Sequence, residues 1–278
     1  MALTWNYVLS GGKATEVTAS GYAGEASIEI PATIDGYDVD SINSPTASTN
    51  FLGQTTGQTT LQNLTFASGF AGKIFNQNCF RYFINITVFS APASVTTYKS
   101  RCLPSGILTI NFPSAVSFIH FETFTECFAL ASITVDSGNI TYKSYSGVLY
   151  EITNRLHAYP RNRPGILFVF PSWCIGANQS SFRNSNNVLT VITSNSVETL
   201  SNYAFNGSIN LSKVIIGDRI KTIQDTVFTT SVKITEYNGL ISNITSWGTN
   251  SYGTAVVPER IYYSANNEVI PPTVVGYQ

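Results

Sequence analysis

The residues from Leu108 to Val135, LTINFPSAVSFIHFETFTECFALASITV, restrict what this chain can fold into more than any other stretch. They read as an apolar pair, Ile110-x-Phe112, then Pro113, Val116, Ile119, Phe124, Cys127 and Leu130, after which a new pair, Ile133-x-Val135, begins. Counted from the proline, apolar slots fall at +3, +6, +11, +14 and +17, and the next pair falls at +20 and +22. A helix would repeat about every 3.6 residues and a strand about every 2. Neither period holds throughout, so the stretch is one coil of something that repeats.

A 23-residue step carries Ala204-Phe205 back to Ser181-Phe182 and forward to Val227-Phe228. The same step carries Val191, Val197 and Leu200 onto Val214, Ile220 and Ile223. Upstream, the same step carries Phe80 onto Leu103, and a slightly shorter one carries Leu103 onto Phe124. Pro31, Pro92, Pro113 and Pro171 share one slot, which Ala67, Ser194 and Gly217 fill elsewhere. Self-similarity at this period marks a leucine-rich-repeat type solenoid. The expected fold is mainly β: a right-handed solenoid of about seven to nine coils with short parallel strands and 3₁₀ or single helical turns. Each I-x-I pair reads as a short strand, and stacked coils would join these strands into one continuous parallel sheet at about 4.8 Å per coil. Phe124, Phe182, Phe205 and Phe228 are expected to stack as neighbouring rungs inside it.

Along the chain, three regions are expected. Residues 1–24 read as a capping hairpin with a Ser10-Gly11-Gly12 turn, 25–235 as the solenoid, and 236–278 as a C-terminal cap and extended tail. Coils start near Leu64, Ile86, Ile110 and Ile133, and the Thr-, Ser- and Gln-rich segment from Ser44 to Thr60 reads as an exposed loop. The period breaks between Asp136 and Gly165, where two apolar runs, 147–150 and 156–159, suggest a hairpin-like excursion. In the tail, Val256-Val257-Pro258 and Ile261-Tyr262-Tyr263 read as strands, and Pro271-Pro272 as extended chain.

These features resemble the BspA-like leucine-rich-repeat family. The resemblance rests on the coils at 108–135 and 188–228, on Gly147-Val148-Leu149-Tyr150 followed by Tyr159-Pro160, and on GYAGEASIEIPATIDGYDV near the start; it covers roughly residues 20 to 235. It implies a solenoid that binds proteins or host surfaces, in a family comprising surface adhesins and phage or viral structural proteins, and it carries over no catalytic motif. Two departures stand out. Thr and Asn replace much of the leucine, and the two coils between Leu64 and Leu103 are shortened.

Composition excludes several function classes. Charged residues make up 11% of the chain and the net charge is −1, so no global field draws nucleic acid or anionic membrane. No apolar run is long enough to span a membrane. The N-terminus lacks a basic region, an apolar core and a cleavage site, which suggests a cytoplasmic product or a mature fragment. Cys79, Cys102, Cys127 and Cys174 fall in interior slots with no C-x-x-C spacing, so they read as reduced, buried thiols rather than disulfides or metal ligands. His120 and His157 lie outside any metal or nucleophile pattern, and the acids are scattered singly. No cofactor or metal is implied, and the chain reads as a non-enzyme. The Asn-x-Ser/Thr sequons, including Asn63, Asn85 and Asn139, read as unmodified.

Two surfaces are candidate binding sites. Arg155, His157, Arg161 and Arg163 form a cationic cluster that either meets an acidic or sulfated partner or is an ordinary solvated loop. The middle residues of the I-x-I strands point outward: Glu29, Thr65, Thr87, Asn111 and Thr134 as a polar ladder, then Val169, Ile192 and Ile215 as an apolar stripe. Such a stripe reflects either strand propensity or an interface. The function expected is recognition of a protein partner or cell-surface glycan, with neither nucleic acid nor a membrane span involved, as a phage or viral virion component or else a bacterial surface adhesin. The stripe could equally close a homo-oligomer.

Overall fold

The computed structural model describes residues 3–55, 57, 59–229, 245–248, 261–262 and 269–270. The chain divides into two compact units, residues 1–147 and 148–278. Among the described residues the regular structure is strand and turn, and no helix is long and apolar enough to cross a membrane. The fold is a mainly β solenoid of the leucine-rich-repeat type.

The first unit opens on a hairpin. β1 (Thr4–Ser10) and β2 (Lys13–Ser20) pair antiparallel around Gly11 and Gly12, whose φ of 59° and 76° give the turn that matches strand twist. The first coil runs through β3 (Ser27–Ile30), a small hairpin of β4 (Thr33–Ile34) and β5 (Tyr37–Asp38), and β6 (Ser41–Ile42). Later coils supply β7 (Asn63–Phe66), β8 (Ile74–Phe75), β9 (Thr97–Tyr98) and β10 (Thr109–Phe112). β11 (Phe118–Ile119), β12 (Ser132–Val135) and β13 (Tyr142–Tyr145) complete the unit.

Two ladders join these coils. The short strands run without a break in the order β2-β6-β8-β9-β11, all parallel. The I-x-I strands do not. β3 pairs with β7 and β10 with β12, but the coil between them forms no strand over residues 86–90. The expected continuous sheet is therefore interrupted. Ile86 and Phe89, three positions apart, are buried, while Val88 is 79% exposed. A strand alternates its faces residue by residue, so this spacing is incompatible with one. Thr87 is accordingly not a ladder position.

The segment 44–60 also departs from expectation, because it buries Thr49, Asn50, Phe51 and Leu52. Phe51 fills the aromatic slot of the first coil. Its N–H donates to Cys79 O and its carbonyl accepts from Ala19 N–H, both at 2.8 Å, and its ring stacks on Trp5 and meets Phe80 edge-on. Phe51 precedes Phe80 by more than one repeat, which hides the slot from a 23-residue step.

In the second unit, β14 (Val148–Glu151) and β15 (Arg155–Ala158) form the hairpin that the two apolar runs suggested. It belongs to the core rather than to an excursion, since Val148, Tyr150, Leu156 and Tyr159 are buried. The following coils each pair a three-residue strand with a two-residue one: β16 (Leu167–Val169) with β17 (Gly176–Ala177), β18 (Thr190–Ile192) with β19 (Thr199–Leu200), and β20 (Lys213–Ile215) with β21 (Thr222–Ile223). The long strands stack as β16-β18-β20, and the short ones as β15-β17-β19-β21-β22, where β22 is Ser246–Trp247. β23 (Ile261–Tyr262) and β24 (Val269–Ile270) pair antiparallel. The other expected features of the tail, at Val256–Pro258 and Pro271–Val275, lie outside the described residues.

The aromatic arm around Phe182 is built by alternation. The N–H groups of Ser180, Phe182 and Asn184 reach the carbonyls of Asn202, Ala204 and Asn206 in the next coil. Those of Ser181, Arg183 and Ser185 turn back three positions within their own coil. The expected 3₁₀ turn thus takes the form of chained three-residue turns, as at Phe124–Cys127 and Cys127–Leu130. Ser180, Tyr203 and Thr226, at equivalent positions of successive coils, share a left-handed backbone with φ of 58°, 56° and 55°. Two positions beyond each lies a buried ring: Phe182, Phe205 and Phe228. Tyr159–Phe182 and Phe182–Phe205 stack at 4.7 Å, and Phe205–Phe228 at 5.4 Å. Tyr159 holds the rung before Phe182 that the sequence reading assigned to Phe124. In the first unit, Phe124 meets Phe112 edge-on at 5.9 Å.

Candidate recognition surface

The outward stripe forms in register. Val169 pairs with Ile192 and Ile192 with Ile215, so the three lie on consecutive rungs, about 4.8 Å apart. Their neighbours Phe168, Val191 and Val214 point inward and are buried, as alternation along a strand requires. Val169 is 52% exposed, and Ile192 and Ile215 are half-buried. The apolar face is wider than the sequence reading had it. Leu167, in register with Thr190 and Lys213, and Ile166 are both exposed. Leu167 was detectable, because it sits two positions before Val169 and so shares its face. At the end of β18, Thr193 occupies a core slot with its polar atoms used: its N–H donates to Ile215 O and its hydroxyl accepts from Gly217 N–H at 2.7 Å.

The polar candidates Asn111 and Thr134 pair in register in the first unit, which does not contain the apolar stripe. Thr134 Oγ1 donates to Asn111 Oδ1, and Asn111 Nδ2 donates to Asp136 Oδ1, both at 2.9 Å. Their side chains are thus committed to one another along the ladder.

The cationic cluster is used by the fold. Arg155 donates through Nε to Asn178 Oδ1 at 2.6 Å and through a terminal nitrogen to Ser201 Oγ at 3.1 Å, tying three successive coils. Arg161 donates to Asn184 O, and the Arg163 guanidinium lies 5.6 Å from the centre of the Tyr159 ring. His157 is buried and bonded to Glu151 Oε1. That bond, with help from Thr153 and Asn178, outweighs burial and holds the Glu151 carboxyl below the ordinary glutamate range. These side chains cross-brace the β15 coils, while Arg155, Arg161 and Arg163 all stay partly exposed.

Elsewhere the cysteines, His120 and Asn139 are buried or bonded. All four cysteines are free and buried, and burial pushes the Cys79 and Cys102 thiols well above their ordinary range. His120 Nδ1 accepts from Glu122 N–H at 3.1 Å. Among the described residues no group of three or more His, Cys, Asp or Glu could hold a metal ion. Asn139 is buried, with its amide nitrogen on Pro113 O and Val116 O and its oxygen accepting from Thr141 and Tyr142, so this sequon is closed to modification in the folded chain.

Registered parallel rungs, a repeated turn in which Pro92, Pro113 and Pro171 accept from the N–H three positions on, and a stacked aromatic arm define a leucine-rich-repeat protein. The chain belongs to the BspA-type leucine-rich-repeat family, whose model matches six copies over residues 38–148 and 167–274. Among solved structures, it is similar to the pneumococcal vaccine antigen PcpA, with 19% identity and a TM-score of 0.60 over 85% of this chain. The match spans 50% of the PcpA chain, so this chain corresponds to about half of it. A leucine-rich cell surface protein from Faecalibacterium prausnitzii is also similar, with 18% identity and a TM-score of 0.45 over 94% of this chain and 93% of that one. No curated protein matches the chain.

Proposed function

We propose that this chain is a non-enzymatic recognition protein, displayed at a bacterial cell surface, whose β16-β18-β20 face binds a protein partner. The observation that carries the reading is the register of Val169, Ile192 and Ile215, widened by Leu167, on a ladder whose inward neighbours are buried. Exposed aliphatics on consecutive rungs are costly to leave in water and favourable to cover with an apolar surface. The non-enzymatic part rests on the repeat fold and on the structural use of His120, His157 and the four cysteines. Similarity to PcpA, a vaccine antigen, supports surface display over the virion location that was the first expectation from the sequence. A protein is favoured over a sulfated glycan because the arginines that a glycan would need brace the coils. Within this scheme residues 1–24 serve as the cap, 25–235 as the recognition solenoid, and 236–278 as the closing segment.

The test is Ile192→Lys. The variant should keep its circular dichroism spectrum and unfolding midpoint, because the side chain points outward. It should lose attachment in a pull-down from partner-cell surface proteins, or lose self-association in sedimentation if the partner is a second copy. Attachment and sedimentation both unchanged would return the stripe to strand propensity alone.

A further inference from the structure

The break in the first unit's I-x-I ladder leaves a strand edge with its main chain unsatisfied. In the β3–β7 pairing, alternate residues of β7 face β3: Asn63 N–H donates to Ala26 O, and Ala67 N–H to Ile30 O. The N–H and C=O of Leu64 and Phe66 therefore face away from β3, toward the coil that forms no strand. Among the described residues no backbone hydrogen bond joins 63–66 to 86–90, and the nearest bond on that coil, Leu108 N–H to Thr87 O, comes from the other side. Leu64 is nevertheless 5% exposed. Buried backbone groups are nearly always paired, so two alternate positions left without a backbone partner on one edge form a template for another chain.

A cavity of about 610 Å³ lies against this edge, lined by residues 63–67, 69 and 70 on one side and by Val88, Ser90, Ala91 and Pro92 on the other. Its volume is that of a site for a short segment, and none of its lining residues is charged. An apolar small molecule could fill the space but would leave the amides of Leu64 and Phe66 unpaired. An extended main chain offers donors and acceptors at the spacing the edge presents. We propose that the β7 edge is a strand-addition site. It takes an extended, uncharged peptide segment of a partner protein, which hydrogen-bonds to Leu64 and Phe66 and places alternate side chains in the cavity. This site lies in the first unit and does not depend on the stripe described above.

The probe is the capped peptide acetyl-Ser-Ile-Thr-Val-amide, the sequence of residues 132–135, which this chain already adds as a strand beside β10. Hydrogen exchange of the full chain should slow at the Leu64 and Phe66 amides when the peptide is added. Two N-methylated forms separate main-chain pairing from general stickiness, one methylated at Ser and Thr and the other at Ile and Val. Only one set of peptide amides can face β7, so one form should bind about ten-fold more weakly than the other. Ala91→Trp, which fills the cavity, should abolish the protection in a protein whose circular dichroism is unchanged; if that variant misfolds, the methylated pair still decides. Unchanged exchange at Leu64 and Phe66, protection at other strand edges only, or equal affinity of the two methylated forms would each overturn the proposal.

Discussion

Phe205 is held between two stacked rings, Phe182 at 4.7 Å and Phe228 at 5.4 Å, with no solvent exposure. The backbone ladder fixes the spacing of the rungs, so the neighbours cannot close over a missing ring. Phe205→Ala should therefore cost about 3–5 kcal/mol in denaturant unfolding, and a loss under about 1 kcal/mol would mean the ring is not a core rung. The cysteines sit in equally closed slots, and none should react with a thiol reagent until the protein unfolds. Fast labelling of native Cys127 is the result that would contradict this. At this scale the sequence reading succeeded where the 23-residue step runs from one phenylalanine to the next. It placed Phe182, Phe205 and Phe228 on adjacent rungs. It missed Tyr159, one full repeat before Phe182, because the slot was read as a phenylalanine position. It missed Phe51 because the first coil is longer than the repeat that follows.

Four of the aromatic arms turn through a residue whose left-handed backbone L-amino acids otherwise avoid. Asn78, Ser180, Tyr203 and Thr226 all take it two positions before the buried ring, with φ between 55° and 61°. Nothing in the periodicity of apolar residues announces this, since the slot tolerates Asn, Ser, Tyr and Thr alike. Asn adopts the conformation at lower cost than a β-branched or bulky residue does. Tyr203→Asn should therefore leave the unfolding midpoint equal or raised, whereas Tyr203→Val should be less stable than Tyr203→Asn by about 1 kcal/mol or more. Equal midpoints for the two variants would mean that this backbone position is not strained. The outward stripe was readable at the same scale, because strand alternation fixes which residues face solvent once the inward pair is known. The break at residues 86–90 was not. Ile86-Thr87-Val88 has the form of a strand pair, and only tertiary packing selects Phe89 over Val88 for the core.

Over the whole chain, charge is scarce and much of it is committed. Fifteen cationic side chains balance sixteen acids. Arg81 pairs with Glu126, Arg101 with Glu122 and Lys221 with Glu198. Arg155, Arg161 and Arg163, the densest cationic run in the sequence, brace the second unit through Asn178, Ser201, Asn184 and the Tyr159 ring. A net charge of −1 generates no long-range field, and the arginines of this run are partly committed to the fold, which favours the proposed contacts through apolar area and main-chain pairing. Heparin distinguishes this from the glycan reading that the sequence alone kept open. The chain should elute from immobilised heparin by about 0.15 M NaCl, where exposed charges a Debye length apart are already screened. Retention beyond about 0.3 M NaCl that is lost in Arg161→Ala and Arg163→Ala variants of unchanged stability would reinstate the 155–163 segment as an anion site. It would also shift the choice of partner from a protein surface to a sulfated glycan.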